Sequence, residues 1–104
     1  ISFSKMRYKL DWTFLAEDSY FEEMEFILLK WNIKEVIKFE NLVSIELKRL
    51  LENPTIGKLE EDKYSLLISK QTTLFYKIKE KKETIELLFF WNNQKNPDEL
   101  NKLL

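Results

Sequence analysis

Residues 64–91, YSLLISKQTTLFYKIKEKKETIELLFFW, decide the fold, because they contain three runs typical of β-strands. The runs cover residues 64–69, 72–79 and 84–91, and each is rich in β-branched or aromatic residues. Two residues separate the first two runs and four separate the last two. Connections this short join antiparallel strands, so the stretch predicts two successive β-hairpins.

The middle run presents two different faces. Successive side chains of a strand point to opposite sides of the sheet. One side carries Leu74, Tyr76 and Ile78, which we expect to be covered by helices. The other side, expected to be partly open and basic, carries Thr73, Phe75, Lys77 and Lys79.

The first half of the chain predicts one strand and two long helices. Residues 7–12 alternate apolar and polar side chains, which is typical of a half-buried strand. Thr13 is a suitable N-cap for the helix that follows, and Asn32 for a second helix that ends near Asn53, before Pro54. So short a link predicts an antiparallel helical hairpin. The apolar stripe predicted for the first helix is Tyr20, Phe21, Met24, Ile27, Leu28 and Trp31, and that of the second is Val36, Phe39, Val43, Leu47 and Leu50.

These elements predict an α+β fold of order β-α-α-β-β-β, with the helical hairpin packed on a mainly antiparallel four-stranded sheet. Residues 54–57 read as a turn, residues 58–63 (KLEEDK) as a charged loop, and residues 96–104 as a short C-terminal helix. We expect residues 6–104 to form one domain. Residues 1–5 precede Met6 and are interpreted as a cloning remnant or an alternative start.

The composition of the 104 residues excludes several familiar kinds of site. The chain has no Cys and no His, so it has no thiolate or imidazole to serve as nucleophile, base or metal ligand. Its one glycine, Gly57, excludes the glycine-rich phosphate loops. We expect no cofactor and no metal. No secretory signal or membrane span is recognisable, so we expect a cytoplasmic protein without a membrane partner.

Charge is unevenly distributed although the net charge is −1. Residues 11–25 contain six acids and no base, whereas residues 63–82 contain six lysines and one acid. Glu22, Glu23 and Glu25 are interpreted as a solvated helix face, because adjacent helical residues point in different directions. An acidic helix beside a basic sheet makes the molecule dipolar.

Four segments, in this order, resemble the RelE/ParE superfamily of bacterial toxins. Residues 8–31 (YKLDWTFLAEDSYFEEMEFILLKW) resemble its first strand and helix, with an Ala16 to Ser19 spacing. Residues 47–58 (LKRLLENPTIGK) are similar to its Leu-x-x-Asn-Pro-x-x-Gly-Lys turn. Residues 64–80 and 85–100 resemble its central strands and its last strand with an Asn-Pro exit. The long hairpin resembles the ParE and plasmid-stabilisation branch.

This resemblance implies the toxin of a type II toxin–antitoxin module, held inactive by a cognate antitoxin that wraps the hairpin and sheet. ParE-like members bind and poison DNA gyrase, whereas RelE-like members cut messenger RNA on the translating ribosome. No arginine follows Arg49, which weakens the nuclease alternative because arginine is the better phosphate clamp. Positions where the family often carries Arg, His or Asp-x-Arg hold Tyr64, Ser65, Gln71, Asn92 and Gln94.

We therefore favour growth inhibition through binding of a target such as gyrase, and keep two alternatives open. If the chain is an endoribonuclease, the resemblance and the basic sheet assign its catalysis to Lys63, Tyr64, Lys70, Tyr76 and Lys77. The third alternative is a non-toxic interaction module derived from the family. The residues predicted to bind the target are Lys77, Lys79, Asn92, Gln94 and Lys95.

Overall fold

A computed structural model describes residues 7–104 of the chain. The interpretation of residues 1–5, and the domain start at Met6, lie outside these residues. Along the described chain the elements are β1 (Lys9–Trp12), α1 (Phe14–Lys30), α2 (Ile33–Glu52), β2 (Lys58–Glu60), β3 (Lys63–Leu67), β4 (Thr72–Lys79), β5 (Thr84–Asn92) and α3 (Pro97–Leu103), with a 3₁₀ turn at Glu80–Lys82.

The five strands form one mixed sheet in the order β1-β5-β4-β3-β2. β1 pairs with β5 in parallel, and the three other pairs are antiparallel. The predicted α+β fold and element order are confirmed, but the sheet has a fifth strand, β2, where the sequence predicted a charged loop. β2 is three exposed residues at the sheet edge, held by pairing with β3. An edge strand needs only backbone hydrogen bonds on one side, so a charged triplet can form one.

A β-bulge divides β5 into two parts. Phe75 pairs with Phe89, and the next residue of β4, Tyr76, pairs with Leu87, so Leu88 is the extra residue. Leu88 and Phe89 therefore both lie on the side of the sheet away from the helices, while Leu87 and Phe90 belong to the main core. The bulge concentrates apolar side chains on the face that the sequence predicts to be partly open.

α1 begins at its predicted N-cap, since the Thr13 hydroxyl accepts a hydrogen bond from the Ala16 N–H. The face that α1 buries differs from the predicted apolar stripe, because Phe21, Leu28 and Trp31 of that stripe are exposed. α1 lies so close to β5 that small side chains face the sheet, and the Ser19 hydroxyl accepts a hydrogen bond from the Phe90 N–H. The residues actually buried along α1 are Ala16, Ser19, Glu23 and Ile27.

α2 matches its prediction more closely. Its N-cap Asn32 accepts from the Glu35 N–H, and the helix ends at Glu52, as expected before Pro54. All five residues of its predicted stripe are buried in the core that also contains Leu74, Ile85 and Leu87 of the sheet. No helix among residues 7–104 combines the length and apolarity needed to cross a bilayer.

Candidate functional site

The sheet face away from the helices carries lysines that are already paired with an acid. Lys63 and Lys77 lie on neighbouring strands, and the Asp62 carboxylate lies 3.3 Å from the first ammonium and 3.2 Å from the second. The hydrogen bond from Lys77, followed by that from Lys63, lowers the pKa of Asp62 below its usual value. Beyond this pair, Lys79 lies 3.9 Å from Glu86. The predicted basic face is therefore a network of mixed charge.

Beside this network lies an aromatic cluster partly covered by α3. Phe75 and Phe89 stack with ring centroids 4.9 Å apart, and Trp91 is buried next to them. Leu100 of α3 packs against the cluster from outside. A groove of about 890 Å³ runs between the β2–β3 hairpin and α3, lined by Glu60, Glu61, Lys63, Ser65, Thr73, Phe75, Asn93, Leu100, Asn101 and Leu104.

Tyr76 lies on the opposite side of β4, in the core, and its hydroxyl holds the turn after α2. The side chain is fully buried. Its hydroxyl donates to the Pro54 carbonyl at 2.8 Å and accepts from the Gly57 N–H at 3.0 Å. Burial raises the pKa of Tyr76 to about 12, with the Gly57 hydrogen bond opposing that rise. We call Tyr76, Pro54 and Gly57 the tyrosine clamp.

The clamp explains why the only glycine stands at position 57. A Cβ atom there would lie 2.7 Å from the Ser65 carbonyl oxygen and 2.8 Å from the Tyr76 hydroxyl. These distances are shorter than any ordinary contact, so the close approach of the turn to β3 and β4 requires glycine. Two of the motifs noted in the sequence, the Asn-Pro-x-x-Gly turn and the Phe-Tyr-Lys-Ile strand, thus form one structural unit.

The five residues predicted for an endoribonuclease are not brought together. Tyr64 faces the core with Tyr76, and their rings stack with centroids 5.1 Å apart. Lys63 and Lys77 lie on the other side of the sheet. Lys70 is exposed in the β3–β4 connection, where its carbonyl accepts from the Asn93 side chain. The sheet itself separates the two phenols from the ammonium groups of Lys63 and Lys77.

The residues predicted to bind a target divide between two places. Lys77 and Lys79 belong to the mixed-charge face. Asn92 is buried at the end of β5, and its side-chain oxygen accepts from the Gln94 N–H at 2.8 Å. Gln94 and Lys95 are exposed in the turn that this bond shapes.

Asn92, Gln94 and Lys95 line a cavity of about 250 Å³ between α1 and the end of β5, which we call the α1–β5 cavity. Its other lining residues are Ser19, Glu22, Glu23, Phe26 and Phe90. At its rim the Lys95 ammonium lies 4.0 Å from the Glu22 carboxylate and 5.6 Å from the centroid of the Trp91 ring. The cavity therefore combines charged, amide and aromatic groups.

Of the three acids Glu22, Glu23 and Glu25, the sequence interpretation places Glu23 wrongly. It was expected on a solvated face, but only 4% of the residue is exposed. Its carboxylate accepts hydrogen bonds from the Thr72 hydroxyl and from the Asn92 side-chain amide, the latter at 3.0 Å. A sequence signal for this exists, because Ala16, Ser19 and Glu23 are spaced by three and four residues and so share one helix face.

The outer surface of the helical hairpin exposes many large apolar side chains. Phe14 and Leu29 are each 81% exposed. Contiguous apolar surface on a small protein commonly marks an interaction site. Further exposed apolar residues on the two helices and their link are Leu15, Phe21, Leu28, Trp31, Ile33, Ile37, Leu42 and Ile45.

Several solved structures share this fold. A chain of the chromosomal ParDE toxin–antitoxin system from P. aeruginosa superposes with a TM-score of 0.69 at 13% identity, over 85% of this chain and 98% of that chain. A chain of the toxin–antitoxin complex RelBE2 from Mycobacterium tuberculosis gives a TM-score of 0.58 at 18% identity, over 83% and 98% of the two chains. The isolated E. coli RelE toxin gives 0.58 at 19% identity, over 93% and 99%.

Comparisons of the sequence with family models and with curated proteins find no match. The similarity therefore lies in the three-dimensional structure, where it covers nearly the whole length of each solved chain. The chain has the fold of the RelE/ParE superfamily of toxins.

Proposed function

We propose that this protein is the toxin of a type II toxin–antitoxin system, acting in the bacterial cytoplasm and neutralised by a cognate antitoxin. The observation that carries the proposal is the fold, which matches chains of the ParDE and RelBE2 systems and the RelE toxin over 83–93% of this chain. Such a protein inhibits growth when the antitoxin is lost, which is the basis of plasmid stabilisation.

The apolar outer surface of the helical hairpin supports an antitoxin as partner. Phe14 and Leu29 are each 81% exposed, and removing such apolar area from water favours association at about 25 cal/mol per Å². The helix that carries them, α1, also carries five acids, four of which are exposed. The partner segment proposed here is therefore an amphipathic one with apolar and basic side chains.

For the mode of action we propose inhibitory binding of a target, with DNA gyrase as the preferred target. Two features support this choice over RNA cleavage. Asp62 pairs with both Lys63 and Lys77, so these ammonium groups face an acid rather than an open phosphate site. Tyr76 is engaged in the tyrosine clamp and is fully buried, which leaves it no access to a substrate proton.

The contact residues we propose lie in two places, on the mixed-charge face of β4 and in the turn after β5. Lys77, Lys79, Gln94 and Lys95 offer side chains to a partner, and Asn92 positions the turn that carries two of them. Charge reversal of Lys79 or Lys95 is expected to weaken target inhibition without changing stability, because both side chains are about half exposed.

The decisive experiment is inducible expression of this chain without antitoxin, followed by two assays with the purified protein. We expect the induced cells to stop growing. We expect the purified protein to inhibit DNA supercoiling by gyrase and to leave messenger RNA intact in a translating extract. Messenger cleavage lost in Lys77→Ala would instead establish the endoribonuclease. Normal growth at full expression would contradict a toxin and favour a non-toxic interaction module. A Lys34→Ala variant, in the exposed first turn of α2, is the matched surface control.

A further inference from the structure

The buried Glu23 carboxylate is held by neutral donors alone. Its two oxygens accept from the Thr72 hydroxyl and the Asn92 amide. None of the ion pairs formed by residues 7–104 includes Glu23. Buried carboxylates are ordinarily paired with a cation or a metal, because neutral hydrogen bonds compensate only part of the lost hydration. The protein thus places a negative charge in its interior without a positive partner of its own.

This carboxylate is not sealed in the core, since it lines the α1–β5 cavity. The cavity holds about 250 Å³, which is ample for the planar head of an arginine side chain. Each carboxylate oxygen uses one of its lone pairs for the donors described above and keeps capacity for a second hydrogen bond. A guanidinium entering the cavity can therefore donate to Glu23 without displacing Thr72 or Asn92.

The walls of the cavity suit a flat, weakly hydrated cation. Phe26 lines it with a partly exposed ring, and the face of an aromatic ring attracts cations. Phe26 already has such a neighbour, because the Lys30 ammonium lies 5.5 Å from its ring centroid. Arginine stacks on aromatic rings and is less strongly hydrated than lysine. Its transfer from water into a partly apolar cavity therefore costs less hydration free energy.

The rim adds a second carboxylate and a loosely held ammonium. Glu22 and Lys95 are 4.0 Å apart, and both side chains are more than half exposed. A contact of this length at the surface contributes little to stability. Lys95 can therefore leave the rim when a cation with better hydrogen-bonding geometry arrives, which frees Glu22 to contact the incoming group.

We propose that the α1–β5 cavity is a binding site for the guanidinium group of an arginine side chain presented by a protein partner, with Glu23 as its carboxylate acceptor. Glu22 and Phe26 of this cavity lie on the same face of α1 as the exposed Leu29, but the site takes a cation rather than an apolar group. Its test with an arginine probe therefore does not depend on whether the partner is an antitoxin. The site converts a charge that costs stability in the free protein into a specific contact in the complex.

The test is an NMR titration of the full ¹⁵N-labelled chain with Nα-acetyl-arginine amide, which imitates an arginine within a peptide. Binding is expected with a dissociation constant on the order of millimolar. Amide shifts should concentrate at Ser19, Glu23, Asn92 and Gln94. The neutral isostere Nα-acetyl-citrulline amide should bind at least about tenfold more weakly, because it lacks the charge that Glu23 accepts.

Two variants make the result specific. Glu23→Gln should lower the affinity for the arginine probe about tenfold or more, whereas Glu17→Gln, on the exposed side of the same helix, should leave it unchanged. Absence of localised shifts at ten times the expected dissociation constant would overturn the proposal, as would equal binding of the citrulline probe. Free arginine that binds ten times more tightly than the blocked probe would reassign the site to a small molecule.

Discussion

Two polar side chains, Tyr76 and Glu23, are buried on the helix side of the same sheet. They differ in how fully the protein satisfies their hydrogen bonds and charge. The Tyr76 hydroxyl donates a hydrogen bond to the Pro54 carbonyl and accepts one from the Gly57 N–H, so the backbone satisfies it both as donor and as acceptor. Glu23 has two neutral donors, a full negative charge and an adjacent cavity.

The difference shows how to separate structural from functional polar groups in a fold of this kind. A neutral group with every hydrogen bond satisfied stabilises the protein, and its removal leaves unpaired partners. A charged group with spare acceptor capacity beside a cavity lowers stability and offers a contact to another molecule. On this argument the tyrosine clamp belongs to folding and Glu23 belongs to binding.

The substitution expected to destabilise the tyrosine clamp most is Gly57→Ala. The added methyl group would lie 2.7 Å from the Ser65 carbonyl oxygen, and that backbone cannot move without breaking the pairing of β2 with β3. We expect the free energy of unfolding to fall by about 3 kcal/mol, as measured by urea denaturation. A loss below about 1 kcal/mol would mean that the turn is not held as closely as described.

Tyr76→Phe tests the same clamp without changing its packing. It removes one oxygen and leaves the Pro54 carbonyl and the Gly57 N–H without their partner, so we expect a loss of about 2 kcal/mol in the free energy of unfolding. The matched control is Tyr64→Phe, which removes the hydroxyl of the half-buried ring stacked on Tyr76. Similar losses for the two variants would contradict the special role given to position 76.

Alkaline unfolding offers a third measurement of the clamp. Burial raises the pKa of Tyr76 from 10.0 to about 12, so the folded state keeps its proton where the unfolded state has lost it. The stabilisation is complete below pH 10 and is lost as the pH rises toward 12. We expect the stability of the parent protein to fall more steeply over this interval than that of Tyr76→Phe, and parallel curves would contradict this reading.

The smallest expected effect on stability belongs to Glu23→Gln, which removes the buried charge and keeps the shape of the side chain. The glutamine amide can still accept from Asn92 and can donate to the Thr72 hydroxyl, while the buried charge disappears. We expect the free energy of unfolding to stay within about 1 kcal/mol of the parent or to rise. Thermal denaturation checks this, and a loss as large as that of Tyr76→Phe would assign Glu23 to folding instead.

The sequence predicted the elements well because their signals are local. Caps such as Thr13 and Asn32, the proline at position 54 and the alternation along β4 depend on neighbours within a few residues. The prediction of the α1 stripe was wrong because it followed the periodicity of large apolar residues. At Ala16 and Ser19 the helix packs so closely on β5 that only small side chains fit between the two. β2 was missed for a related reason, since pairing through the backbone leaves no pattern in its charged side chains.

The candidate sites were harder to predict, because they depend on contacts between distant segments. Glu23 meets Asn92 across 69 residues of sequence, and Tyr76 meets Pro54 across 22. The sequence predicts a basic face at Lys63 and Lys77, but in the structure the Asp62 carboxylate pairs with both ammonium groups. Only the positions of side chains in space distinguish a free ammonium from a paired one.

The parallel pairing of β1 with β5 has a consequence for synthesis on the ribosome. Lys9 is aligned with Thr84, and the Ser19 hydroxyl accepts a hydrogen bond from the Phe90 N–H. β1 and α1 therefore obtain these partners from β5. Contacts this remote in sequence form late and slowly. β1 and α1 therefore gain these partners only after residues 84–90 have been made, and the α1–β5 cavity, which Phe90 and Asn92 help to line, cannot form before them.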